Sequence, residues 1–154
     1  MKKATLLFLI ENKRILLAMK KRGFGVGRWN GVGGKPSKNE TIAGTAIREC
    51  QEEIQVTPLD IKETAKLNFY FPEAKKEWNQ QVIVFVCKAW DGEPTETEEM
   101  APKWFNLDKL PYKKMWSDDK YWLPHVIEGS YVSADFYFDD NDQLLKHSIT
   151  IKWP

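Results

Sequence analysis

Three glutamates set the first constraint on this chain. Ile42, Ala46, Ile47 and Cys50 recur at three- and four-residue steps, which predicts a helix over residues 41–53 with one apolar stripe. On that helix Glu49, Glu52 and Glu53 stand at i, i+3 and i+4 and share a face. Like charges so placed cost an isolated helix a few tenths of a kcal/mol per pair, so about half a kcal/mol or more must be offset. A solvated acidic face helped by Arg48 and Lys38 is one way; a hard divalent cation such as Mg²⁺, which takes carboxylate oxygens, is the other. Just upstream, "GVGRWNGVGGK" (residues 25–35) sets five glycines around Arg28, Trp29 and Asn30. Glycine permits positive φ and close backbone approach, which suits a bound ligand and a plain turn equally.

The rest of the chain narrows the setting. Its 154 residues suit one domain, 1–154, with a substantial core. Residues 5–10 and 14–20 read as a hairpin around "ENK", "KLNFYF" and "QVIVFVCKAW" as strands flanking the polar "PEAKKEWNQ" loop, and "KWFNL" as a short strand. "SDDKYWLPHVIEG" opens a second helix with Ser117 or Asp118 as N-cap, and Asn39 is the N-cap expected for the first. "ADFYFDDNDQLLKHSITIK" forms two strands around an Asp-Asn-Asp turn. This predicts the α/β class, a mixed sheet with two helices. A formal net charge of +1 gives no field that favours a nucleic-acid polymer or an anionic membrane, and no apolar run approaches the roughly 20 residues of a membrane span. Cys50 and Cys87 form no metal-like pair, so a reducing cytoplasm is expected; His125 and His147 read as surface or packing residues.

The spacing of the charged residues is more specific than their number. Gly34, five residues, Glu40, seven residues, then Arg48-Glu49-Cys50-Gln51-Glu52-Glu53 resembles the signature box of Nudix hydrolases. One position departs: Gln55 stands where the family has glycine, at a cost of roughly 1 kcal/mol if the turn is left-handed. The resemblance implies an α/β/α sandwich and cleavage of a diphosphate linked to a second group. It implies Mg²⁺, with Mn²⁺ as an alternative, held by Glu49 and Glu53 with the Gly33 carbonyl. It makes Glu52 a further ligand or the base that activates water, and it pairs Arg48 with Glu40 to hold the helix.

Substrate choice must be read outside the box. "MKKRGFGVGRWNGVGGK", "EEMAPKWF" and "MWSDDKYWLP" are similar to the Nudix branch that hydrolyses oxidised purine nucleoside triphosphates, 8-oxo-dGTP and 2-hydroxy-dATP. That similarity implies a base pocket of Thr5, Lys20, Phe24, Asn30, Phe69, Trp116, Asp118 and Asp119, with Gln80 where the branch has methionine; Trp78, nearby in this chain, could reach in instead of Gln80. It also implies Glu99 as an acid near the metal, with Glu98 its close rival. Trp116 offers a stacking face worth about 1–3 kcal/mol, and Asn30 a donor and acceptor for a purine edge. Two adjacent acids crowded into an apolar pocket do not both stay ionised, so Asp118 and Asp119 could present one donor and one acceptor. Plainer readings exist: "SDD" as a helix start, Trp116 as core, Glu99 as a solvated loop charge. The expected partner is a small nucleoside triphosphate and the expected state a monomer. The alternatives are a Nudix hydrolase of other normal or methylated purine nucleotides, or a nucleotide- or RNA-binding module without turnover.

Overall fold

The apolar runs of the first and fifth strands are buried on both faces, and that decides where the helices go. In the computed structural model, which describes residues 1–153, β1 (Lys2–Glu11) lies parallel to β5 (Gln80–Asp91), with Leu7 opposite Phe85 and Phe8 opposite Val86. Successive side chains point to opposite faces of a sheet. Leu7, Leu9, Ile83, Phe85 and Cys87 therefore meet Ala46, Cys50 and Ile54 of α1 (Ile42–Ile54) on one face. Phe8, Val82, Val84 and Val86 meet Trp122, Leu123 and Val126 of α2 (Asp119–Ile127) on the other. The result is the α/β/α sandwich expected, a mixed sheet between two helices.

β1 turns through Asn12 and Lys13, both at positive φ (51° and 62°), into β2 (Arg14–Lys20). Consecutive positive-φ residues match the right-handed twist of a hairpin, and asparagine tolerates the first of them well. β2 also pairs along its whole length with β6 (Met100–Asn106) and holds the two-residue β3 (Trp29–Asn30) through Ala18 and Met19. β4 (Thr57–Tyr70) runs antiparallel to β5 and parallel to β7 (Tyr131–Phe138), which carries β8 (Leu144–Lys152) at the sheet edge. The strand order is β3-β2-β1-β5-β4-β7-β8, with β6 beside β2.

Several local readings change. Thr41, not Asn39, caps α1: its hydroxyl accepts from the Gly44 N–H at 2.9 Å, while Asn39 sits at φ 65° in the turn before it. Asp118 occupies the N-cap position of α2, as one of the two expected residues, but its side chain makes no capping bond, and Ser117 Oγ accepts instead from the Leu144 N–H at 3.2 Å. β4 begins nine residues earlier than "KLNFYF" suggests. Its register shifts at Pro58/Asp60, Asp60/Ile61 and Glu63/Ala65 break the two-residue alternation by which a strand is recognised. The "PEAKKEWNQ" segment folds into 3-10 turns over Glu73–Trp78. His147 stacks on Tyr121 and His125 lies edge-on to Trp153, both as packing residues. Cys50 and Cys87 are free and buried, and no described helix is long and apolar enough to cross a membrane.

Gln55 does close α1 in the left-handed region, at φ 62°, with its N–H on the Gln51 carbonyl at 3.0 Å. A side chain there costs about 1–2 kcal/mol, of which glycine's greater freedom in the unfolded chain returns part. Gln55→Gly should therefore raise unfolding stability by about 0.5–1 kcal/mol in urea titrations, with no change in the denaturant slope.

Candidate active site

A cavity of about 280 Å³ opens between the sheet, the glycine segment and the start of α2. All of the residues expected for a base pocket line it: Thr5, Lys20, Phe24, Asn30, Phe69, Gln80, Trp116, Asp118 and Asp119. Two of them are already partly engaged. The Thr5 hydroxyl exchanges contacts of 3.3 Å with the Gly34 backbone, so it anchors the glycine segment as well as lining the cavity. Asn30 Oδ1 accepts from the Gly31 N–H at 2.9 Å, which leaves its amide NH₂ group as the donor that residue can offer a ligand. Trp116 packs edge-on to Phe138, and the Arg28 guanidinium lies 4.1 Å from its ring centroid. Arg28 is absent from the sequence-based set although it adjoins Asn30; nothing in its charge alone distinguishes it from the basic residues around it.

The acid pair is the most unusual feature of the cavity. Asp118 and Asp119 are 2% and 3% exposed, although carboxylates are rarely buried so fully without partners. Asp118 Oδ2 accepts from Trp122 Nε1 at 2.7 Å, whereas Asp119 Oδ2 has no hydrogen-bond partner in the protein. Burial pushes Asp118 up to about 6, with the Trp122 bond opposing it. Burial, then the negative charge of Asp118, pushes Asp119 up well above the usual carboxylate range. The lowest-cost arrangement keeps Asp119 protonated and Asp118 as the acceptor, leaving a donor or acceptor facing the cavity.

Beyond the cavity floor lies the acidic face of α1. Gly33, Gly34 and Lys35 line the cavity at this end. The Gly33 N–H donates to Glu53 Oε1 at 2.8 Å. Glu53 is only 3% exposed, and burial pushes its carboxyl up to about 8 despite that bond, with the charges of Glu49 and Glu99 adding to the rise. Burial likewise raises Glu49, against the pull of Arg48. Arg48 binds Glu40 at 2.8 Å, as the spacing implied, and also Glu49 at 2.8 Å and Glu52 at 3.1 Å. Its guanidinium, with the Ser37 N–H and the Thr45 hydroxyl, holds Glu40 down at about 2. Glu99 is half exposed and 3.6 Å from Arg22.

Among the described residues no three acidic, imidazole or thiol side chains converge as a finished cation cage, since Arg48 and the Gly33 N–H hold the carboxylates apart. The donor set still fits a hard divalent ion. It is made of carboxylate oxygens, one of them buried with a strongly raised pKa, and a β-carbon on Gly34 would lie 2.5 Å from the Glu49 carboxyl carbon. Glycine there lets the backbone close on a charged group.

A family model described as NUDIX domain matches residues 1–126. The chain belongs to the Nudix family. Nudix hydrolases generally use divalent metal ions, in keeping with the oxygen-rich face of α1. Among its Nudix relatives is the "Oxidized purine nucleoside triphosphate hydrolase" of Mus musculus, 39% identical over 145 residues, which span 94% of this chain and 92% of that one. The protein of the same name from Danio rerio is 37% identical over the same shares. The Escherichia coli "8-oxo-dGTP diphosphatase" is 31% identical over 75 residues, 49% of this chain and 55% of its own. The crystal structure of a mutator MutT protein from Bacillus halodurans superposes with a TM-score of 0.85 over 97% of both chains at 23% identity, a likeness of Nudix fold.

The buried acids predict a pH dependence of stability. An acid whose pKa is higher folded than unfolded binds more protons in the folded state, so stability is full below its unfolded value and falls as pH rises through the folded one. For Asp118 that window runs from 3.8 to about 6, and for Asp119 it extends higher. Asp119→Asn should flatten the loss of stability between pH 5 and pH 8 by on the order of 1 kcal/mol, read from denaturant midpoints at each pH. Equal slopes for the two proteins would place the pair in contact with solvent.

Proposed function

We propose that this chain hydrolyses oxidised purine nucleoside triphosphates, 8-oxo-dGTP and 2-hydroxy-dATP among them, to the monophosphate and pyrophosphate. The observation that carries the reading is the unpartnered, buried Asp119 oxygen beside Asp118, in an aromatic cavity that runs to the glutamate helix. The names of the mouse and zebrafish relatives, aligned over nearly the whole chain, support the same substrate class.

Trp116 stacks the purine, while the Asn30 amide, Asp118 and Asp119 meet its edge. A protonated Asp119 with an ionised Asp118 offers one donor and one acceptor, and moving the proton between them serves guanine-like and adenine-like edges alike. Lys20, whose charge is felt by Glu53, meets the triphosphate between the base and the helix. Glu49, Glu53 and the Gly33 carbonyl, with Glu52 and Glu99, would hold a divalent cation, which we take as Mg²⁺ with Mn²⁺ as an alternative. When bound, that ion neutralises the diphosphate charge and acidifies water. Glu52, exposed and tethered only to Arg48, serves as a further ligand or else as the base that takes the proton of the attacking water. One water is added across the diphosphate bond, and the bridging oxygen leaves with one of the two products. We take the chain as one monomeric domain over 1–154, and two free buried thiols fit a reducing cytoplasm.

The test is a turnover screen of oxidised, methylated and normal purine triphosphates with Mg²⁺, following pyrophosphate release. Oxidised purines should have the highest kcat/KM; a preference for unmodified nucleotides would replace this substrate, and no turnover of any would leave a binding module. Glu53→Gln should lower kcat by about two orders of magnitude or more, the scale of losing a group that acts on transition-state charge, while the protein stays folded. A folded Glu53→Gln protein with near wild-type kcat would remove the glutamate face from the chemistry.

A further inference from the structure

One aromatic wall of the cavity rests on a residue that neither the signature box nor the branch resemblance assigns. Phe24 lies between two tryptophans. Its ring stacks on Trp78 with centroids 4.0 Å apart and planes inclined 16°, and it meets Trp116 at 5.1 Å and 41°. Its further ring contact is edge-on to Phe71 at 6.1 Å and 75°, a looser contact than the stack on Trp78. Phe24 sits in a loop where Gly23, Gly25 and Gly27 all take positive φ (85°, 86° and 83°). The loop's own turns are Val26 N–H to Gly23 and Arg28 N–H to Gly25, each at 3.2 Å, and Gly27 N–H to Lys20 at 3.1 Å. Such a loop gains little order from its backbone.

The segment carrying Trp78 is tied at several points. Asn79 Oδ1 accepts from the Phe71 N–H at 2.6 Å and so closes the 71–79 connection at its base. Lys2 Nζ donates to the Glu77 carbonyl at 3.3 Å, and Lys75 Nζ to the Asp140 carbonyl at 2.7 Å. A well-anchored indole thus stacks on a poorly anchored phenyl ring, and that phenyl ring faces Trp116.

We propose that Trp78 is a positioning residue for base specificity: by stacking on Phe24 it fixes the aromatic wall beside Trp116 and so favours a two-ring purine. This rests on the proposed reading that the cavity receives the base of a nucleotide. Trp116 and a fixed Phe24 adjoin at 5.1 Å, and a two-ring purine lays more flat area against those joined faces than a one-ring pyrimidine does. Without Trp78, Phe24 moves with its glycine loop, and the purine loses a contact that holds it in the ground state and the transition state equally. Such a loss appears in KM and in ligand affinity far more than in kcat.

The test compares Trp78→Ala, Trp78→Leu and Trp78→Phe. Calorimetry with 8-oxo-dGMP reads base binding without turnover, and pyrophosphate release from 8-oxo-dGTP gives kcat and KM. An aromatic pair is worth up to about 1.5 kcal/mol beyond its area, so Trp78→Ala should weaken Kd and raise KM by about tenfold. Trp78→Phe, which restores a flat ring, should recover most of the loss; Trp78→Leu, which restores bulk alone, should not. If Leu recovers as much as Phe, or if Ala leaves Kd and KM unchanged, Trp78 only packs and the proposal is overturned. Should Trp78→Ala fail to fold by thermal melting, the Leu and Phe variants decide between the same outcomes. A wild-type protein that binds no 8-oxo-dGMP and turns over no purine overturns the base-pocket reading and this proposal together. Wild-type binding with no response to any Trp78 variant overturns the proposal alone.

Discussion

Gly33 and Gly34 pass between β1 and α1, Gly33 with no room for a side chain and Gly34 with room only if the Glu49 carboxyl moves away, and both ends of the site depend on that passage. A β-carbon on Gly33 would lie 1.8 Å from the Thr5 carbonyl oxygen, a fixed backbone atom, and one on Gly34 would meet the Glu49 carboxyl. The closeness is what lets Thr5 and Gly34 bond backbone to backbone at 2.8 Å and lets the Gly33 N–H reach Glu53. One short stretch therefore fastens the acidic helix to the sheet and forms the floor of the cavity. The glycines are needed here because only glycine permits that approach; Gly33 and Gly34 do not take the positive φ that marks Gly23, Gly25 and Gly27.

The site holds two acidic groups, each relieved differently. On α1, Arg48 lies among Glu40, Glu49 and Glu52 and carries part of the charge that an arriving cation would carry. It leaves Glu53 uncompensated except for one backbone N–H, and burial raises that carboxyl to about 8. In the cavity no basic side chain among the described residues forms an ion pair with Asp118 or Asp119, so the relief is a retained proton. The first arrangement suits a group that brings positive charge. The second suits a neutral ligand edge with hydrogen-bond donors and acceptors. A nucleotide with its metal presents both, at its two ends.

How much was legible beforehand differs between these parts. The helix, its apolar stripe and its charged face could be read from spacing alone, because a helix brings residues three and four apart together whatever surrounds it. Both helices and the strand runs of β1, β2, β5, β7 and β8 were recognisable from periodicity. The first half of β4 was not, since its bulges interrupt the alternation, and β3 is too short to have a period. Caps were misplaced where two neighbouring residues had equal chemical claims: Asn39 and Thr41 can each accept from a helix N–H, and the turn geometry chose Thr41.

The sequence by itself determined the local chemistry: three carboxylates on one helix face, an arginine to hold them, glycines before them, and two adjacent acids after a tryptophan. Only the tertiary structure decided what those groups became. That the helix start "SDD" is also a buried acid pair depends on Phe69, Phe138 and the sheet around the cavity, residues distant in the chain, as well as on Trp122 one turn along α2. The parallel pairing of β1 with β5 and the antiparallel pairing of β4 with β5 place Thr5 and Phe69 within one cavity. Burial, which sets the protonation of an acid and the value of a stacked ring, is a property of the closed fold. No residue type or spacing encodes it locally, so it follows only once the two faces of the sheet are covered.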